Sequence, residues 1–323
     1  MNRLTLNLGL AVLVTLLFAG SLMAGKAWVP FGAWFSADPG WWIIAELRLP
    51  RAVLGLAIGA ALGLTGAVLQ GYLRNPLADP AVVGVSSSAA LGAVAAIVLL
   101  SASAPLVVFG SAMLAAGGGM ALLALLAWRA QSAVAFILAG TVLASLAGAL
   151  TAFLISIAPN PYATAEIIDW IMGSLTDRSW TEAQFALPFI ALGCAALLLT
   201  GRALDALTLG EDAARSLGMR LERTQLLIVL GTGLAVGASV AVTGVVGFVG
   251  LIVPHLLRPL TGARPSALLL PSALGGAALV LAADSLVRLG PGATEIRLGV
   301  AMALLGTPFF FALLLRMRRS AWI

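Results

Sequence analysis

The chain has 323 residues, 61% of them hydrophobic and only 10% charged, with a mean hydropathy of +1.07. Soluble domains carry about 25% charged and 45–50% apolar residues, so soluble enzymes, nucleic-acid binders and disordered chains are excluded. The net charge of +5 reads as loop charge that sets membrane topology, not as affinity for nucleic acid.

The first apolar run, residues 4–24, follows Arg3 and ends in small residues near Gly25, the pattern of a signal peptide. It is longer than the usual apolar core of such a peptide and many further runs follow, so it reads as an uncleaved first span. The next runs are 52–72, 82–101, 106–128 and 133–158. A less hydrophobic stretch, 159–181, separates these from 182–204, 224–242, 245–260, 267–287 and 296–315. Each of the ten is near the length of about 20 residues needed to cross a bilayer. The fold class expected is an all-α integral membrane protein of about ten transmembrane helices in one domain, 1–323.

With the N-terminus placed in the cytoplasm, twelve of the 18 basic residues fall inside and six outside, as the positive-inside rule requires. Both termini are then cytoplasmic. Gly55, Gly59 and Gly63 recur every four residues, and Gly244, Gly247 and Gly250 every three. Small residues at such spacing let membrane helices approach closely. Two halves of five spans would form an inverted repeat, for which Thr65-Gly66 and Thr243-Gly244 are a faint hint.

Several chemistries are missing. The chain has no phosphate-binding loop of the G-x-x-x-x-G-K-[ST] type, since its one lysine, Lys26, lies in no such pattern. It has one cysteine, Cys194, and one histidine, His255, so neither a disulfide nor a multi-histidine metal site can form within it. No carboxylate falls near the middle of a span; Asp284 and Glu295 lie toward the outer ends. Carriers driven by ion gradients usually keep ionisable groups at depth. No catalytic cluster is visible, and any energy must come from a partner. His255, after Pro254, reads as structural, bonding a backbone carbonyl that the proline frees.

The longest cytoplasmic insertion is 205–223. Thr208 and Glu211 have the spacing of a capping box, Asp212 adds charge at the positive helix end, and Gly218 suits a C′ stop. A short helix over 209–217 is expected outside the membrane. Its small apolar face, Ala213, Ala214 and Leu217, suits either a groove on another protein or the lipid surface.

The stretch from Leu207 to Gly218 closely resembles the coupling segment of the permease subunits of ABC importers for iron–siderophores, haem and cobalamin. Almost the whole chain shares the resemblance. Arg48-Leu49-Pro50-Arg51 precedes the second span. Gln70-Gly71 leads into Arg74-Asn75-Pro76-Leu77-Ala78-Asp79-Pro80 and Gly84-Val85-Ser86. Trp170-Ile171-Met172-Gly173-Ser174-Leu175, the run from Gly247 to His255, and Leu305-Gly306-Thr307-Pro308-Phe309-Phe310 follow in the family's order. One departure stands out: Glu295-Ile296-Arg297-Leu298-Gly299 carries Arg297 where many relatives have proline.

The resemblance implies a permease without ATPase activity that moves a large metal chelate from a binding protein into the bacterial cytoplasm. It implies a second copy of the chain with the path between the two, two cytoplasmic ATP-binding cassette subunits, and an extracytoplasmic binding protein. The chain itself would hold no cofactor and no metal, with ATP and Mg on the partner ATPase. Site residues carried over are Leu209, Gly210, Glu211, Asp212, Ala213, Ala214, Arg215, Leu217 and Gly218 for coupling. Asn75 and Leu77, with Ser132, Ala133 and Val134, are implied at an inner gate. Arg48, Arg51 and Arg288 are implied in binding-protein docking, a basic surface that Arg297 would extend. By composition alone, Asn75 beside Pro76 is equally a turn former. A secondary transporter or channel without an ATPase is the alternative reading.

Overall fold

The computed structural model describes residues 2–34, 39–102, 104–128, 133–262, 264–290 and 294–320. Among these the chain is helical, with no strand. The helices are α1 Arg3–Met23, α2 Pro39–Trp42, α3 Leu49–Tyr72, α4 Val85–Leu100, α5 Pro105–Trp128, α6 Ala133–Ser156 and α7 Pro161–Ile171. After these come α8 Trp180–Leu198, α9 Gly201–Leu207, α10 Glu211–Ser216, α11 Leu221–Thr243, α12 Val249–Leu257, α13 Pro265–Leu289 and α14 Leu298–Ser320. Seven apolar stretches are long enough to cross a membrane, α2 running through the wide π turn Ile43–Arg48 into α3 as one of them. The other three, at α4, α12 and α14, are shorter. Together they account for the ten runs seen in the sequence.

α3 and α11 form the centre and are mostly buried, whereas α1 and α6 leave most of their apolar surface outside the protein. The glycines explain how the centre closes. Gly59 and Gly63 face the backbone of Gly276 and Ser272 on α13, where a Cβ would collide, so α3 and α13 pack backbone to backbone. Gly193 and Gly231 do the same for α8 and α11. Such contact is the main source of helix association where lipid is as apolar as leucine. α1 is part of this bundle: Val14, Leu17 and Phe18 pack with Ala277, Ala278 and Leu281 of α13.

The run 245–260 is not a continuous span. α11 stops at Gly244, whose φ of +72° suits glycine, and the chain continues without helix to Phe248. α12 then has nine residues, about 13 Å of helix and too short to cross alone. Gly244, Gly247 and Gly250 therefore sit across a break and do not share a helix face. Gly250 instead backs onto Gly66 of α3. Thr65 lies inside α3 while Thr243 ends α11, so the two Thr-Gly pairs do not occupy matching places.

A second break lies between α3 and α4. Residues 73–84 turn back into the bundle, where the Val82 carbonyl lies 2.6 Å from the place a Gly140 side chain would take, and the Pro80 ring 2.9 Å from that of Gly250. At 1.5 Å per residue, Gly140 is about 10 Å above the start of α6, and Gly66, behind Gly250, about 9 Å above the end of α3. Both interruptions thus meet within the membrane's thickness.

Candidate functional site

At the end of the bundle expected to face outward, the outer end, α3, α13 and the segment before α14 bring charged side chains together. Arg51 donates through Nε and Nη2 to Asp284 at 2.8–3.1 Å, and through Nη2 to Glu295 at 2.8 Å. Arg288 pairs with Asp284 at 3.0 Å and donates to the carbonyls of Ser21 and Ala24 at the end of α1. Arg48 donates to the carbonyls of Leu22, Met23 and Ala27. Those carbonyls are the unsatisfied end of α1, so the arginines cap a helix as well as carrying charge. Thr176 donates to Glu295 at 3.0 Å. Burial alone would raise the Glu295 carboxyl, but the bond and charge of Arg51, then Thr176 and Arg288, hold it below the usual range.

Arg48, Arg51 and Arg288 are only 7, 8 and 2% exposed. The expectation that they stand on an exposed basic face is corrected: they are built into the bundle because each has acceptors inside it. They nevertheless line a pocket of about 250 Å³ with Lys26, Arg178, Asp177, Thr176 and Glu295. Five cations and two carboxylates line it, and Asp284 behind them pairs with Arg51 and Arg288, so a smaller excess of cations remains to favour an anion. Arg297 lies elsewhere, paired at 2.8 Å with Asp169 of α7, and does not extend this pocket.

At the opposite end, expected to face the cytoplasm, the helix after α9 is Glu211–Ser216, shorter than 209–217. Thr208 does not cap it; its hydroxyl donates to the Asp205 carbonyl at 2.7 Å and closes α9. Gly210, at φ +102°, is the N-cap of α10. The stop is as expected: Gly218, at φ +82°, donates to the Arg215 carbonyl and Met219 to that of Ala214, the paired bonds of a Schellman end. Ala214 is fully buried against the bundle, whereas Leu209 and Leu217 are 68 and 60% exposed. The outward apolar face is therefore Leu209 and Leu217, with Asp212 and Arg215 exposed beside them and Ala213 half-buried. Glu211 reaches Arg74 at 3.9 Å and Arg215 at 4.0 Å.

Asp205 anchors this platform. Its carboxylate accepts from the Ser266 amide at 2.8 Å, the Ser266 hydroxyl at 2.6 Å and Arg264 at 2.7 Å. It thereby caps the first turn of α13 from α9. Burial would raise its pKa, but the Ser266 bonds and then Arg264 hold it below the usual range.

The two segments expected at an inner gate are joined through residues that flank them. The Tyr72 ring at the end of α3 meets Phe136 in the first turn of α6 at 5.6 Å, edge to face. Asn75 and Leu77 follow Tyr72, and Ala133 and the exposed Val134 precede Phe136. Ser132 lies outside the described residues. The Asn75 side chain accepts from the Leu77 amide at 3.0 Å, so Asn75 does form a turn here.

Two features escaped the sequence reading. Asp79, within the 73–84 segment, lies at membrane depth beside Phe248, Gly247 and Ser86. It is a carboxylate set within the helical bundle that inspection of span middles could not find, because it is in no span. Gln70 bridges α3 to the α12 region, donating to the Gly250 carbonyl at 3.1 Å and accepting from Arg258 at 2.6 Å. Conversely, the His255 Nδ1 has no hydrogen-bond partner among the described residues; the ring instead packs edge-on to Phe309 at 6.0 Å. The expected carbonyl bond is not made.

Residues 12–316 match the sequence profile of the FecCD transport family. Over 84% of its length the chain is 41% identical to the cobalamin import system permease protein BtuC of Halobacterium salinarum, covering 73% of that protein. It is 36% identical to the hemin transport system permease protein HmuU of Yersinia pestis, over 96% of this chain and 95% of that one. Among solved structures, a metal-chelate type ABC transporter in an inward-facing conformation superposes with a TM-score of 0.86 at 32% identity. That match covers 97% of this chain and 99% of the other.

Proposed function

The chain belongs to the FecCD transport family, and on that premise we propose that it is the membrane-spanning subunit of an ATP-driven importer for a large metal chelate such as cobalamin, haem or a ferric siderophore. Two copies enclose the path. Two cytoplasmic subunits bind ATP and Mg and hydrolyse the nucleotide, while this chain supplies no cofactor. It resides in the cytoplasmic membrane with both termini inside. An external binding protein delivers the chelate, and acidic side chains on it enter the outer pocket, whose excess of cations suits carboxylates. At the inner end, Asn75 and Leu77 with Ser132, Ala133 and Val134 constrict the path.

One observation carries the reading. Leu209 and Leu217 expose most of their surface at the inner end of the bundle, flanking the short α10, whose end is fixed by the paired bonds of Gly218 and Met219. Covering a leucine removes apolar area worth about 1.5–3 kcal/mol, so a partner that seats both is favoured. The helix is tied to the bundle through Ala214 and to the gate segment through Glu211 and Arg74, which gives ATPase movement a route to the path.

The test is Leu209→Asp with Leu217→Asp, both outside the packed interior. The variant is expected to insert and fold normally, to lose co-purification of the ATPase subunits, and to lose more than about nine-tenths of uptake. Normal uptake with the ATPase still bound would overturn the proposal.

A further inference from the structure

α5 and α11 are in close contact in one half of the bilayer and apart in the other. Near the outer half, the place a Gly237 side chain would occupy is 3.0 Å from Ala116 and 3.5 Å from the Met113 sulfur. Below that level the helices separate and leave a groove of about 550 Å³. Its floor is Met120 and Val229, which are buried, and Gly233; its rims are Leu125, Leu226 and Leu230, which are exposed. The groove exists because two glycines line it. Nothing lies within 4 Å of where a Gly117 side chain would sit, and at Gly233 the Met120 side chain approaches to 3.2 Å. Every lining residue is apolar.

The groove runs to the inner membrane surface. Leu226 is one turn above Arg223, and 223, 226 and 230 follow one face of α11 at helical spacing; Arg220 is the extended residue that caps the helix just below them. Both arginines are exposed, and among the described residues neither side chain makes an ion pair or hydrogen bond. They also stand at the positive end of a 23-residue helix. A long apolar slot that ends in two unpaired cations at the headgroup level has the shape and charge order of one molecule class.

We propose that this groove holds an acyl chain of an anionic phospholipid, with its phosphate bound by Arg220 and Arg223. A second copy of the chain is a poorer occupant, because it would leave both cations without an acceptor. The inference does not depend on which chelate is carried, or on whether an ATPase is attached.

The intact permease, purified in detergent and then exchanged into mixed phosphatidylglycerol and phosphatidylcholine, would be examined by native mass spectrometry. Wild type is expected to retain phosphatidylglycerol in preference to phosphatidylcholine. Each cation near an anionic headgroup contributes roughly a fivefold preference, so Arg220→Gln with Arg223→Gln should reduce retention of phosphatidylglycerol about twenty-five-fold. Arg220→Lys with Arg223→Lys should keep most of it. Gly117→Leu, which fills open space, should reduce retention of the tightly held lipid while both arginines remain. Equal retention of the two lipids by wild type, or unchanged retention in the glutamine pair with the protein folded, would refute the site. Retention lost equally in the lysine pair would also refute it, since charge would then not be the cause.

Discussion

The two ends of the bundle handle charge in opposite ways. At the outer end, Arg48, Arg51 and Arg288 are buried and every one has acceptors inside the chain. At the inner end, the side chains of Arg74, Arg215 and Arg264 are about half exposed, with carboxylate contacts at the surface. The difference follows from solvent. A buried ion has no water to replace a lost partner, so its network must be complete. An exposed one is screened and contributes little to folding, which leaves it free to meet another protein. The outer end is therefore a rigid receptacle, and the inner end a surface whose shape is set by caps and backbone turns.

The largest effect expected from breaking this contrast is at Asp284. Asp284→Ala removes the carboxylate that Arg51 and Arg288 share, leaving Arg51 only Glu295 and Arg288 only neutral partners on α1 and after it, and should cost about 3–5 kcal/mol. A large drop in the thermal midpoint of the detergent-purified protein would show it; a midpoint unchanged from wild type would mean that the outer network is not integral to the fold. The Leu209 and Leu217 pair comes next in functional terms, because it should abolish uptake while the midpoint stays near wild type.

Asp205 lies between the two regimes, since it is at the inner end yet mostly covered. Asp205→Ala removes the Ser266 bonds that cap α13 and should cost about 1–2 kcal/mol. Its carboxyl is held below the usual range, so the folded state binds the proton less readily than the unfolded one. The stabilisation is thus present above the unfolded carboxyl value of about 3.9 and is lost as pH falls through the folded value. The gap in midpoint between wild type and variant should shrink on acidification from pH 7 toward 3. A gap independent of pH would remove the charge from the account.

The smallest effect is expected at Arg297. Its pair with Asp169 is partly exposed, 30 and 56%, so Arg297→Ala should change stability by less than about 1 kcal/mol. A loss as large as that of Asp284→Ala would show that the segment before α14 belongs to the buried outer network.

Much of this architecture is legible in the order of the residues alone. The ten apolar runs, the arginine asymmetry and the Gly218 stop all rest on local rules: hydropathy over a window, charge near a span end, one residue's freedom at positive φ. Local rules fail at Thr208, because the helix preceding it extends to Leu207 and takes the threonine as its own end. They fail at 245–260 too, where an apolar sequence compatible with helix is held open by contacts with α7 and α14: Trp170 and Gly173 crowd Gly244, and Phe248 packs on Gly306.

The sequence by itself determined that this is a multi-span membrane protein, since composition and hydropathy need no geometry. Its motifs and their order also carried the family resemblance. Only the tertiary structure decided which charges are interior. Arg51 meets Asp284, 233 residues away, and Asp79 is brought to membrane depth by a turn that belongs to no span. Burial depends on what distant segments cover, and hydropathy reads only neighbours along the chain.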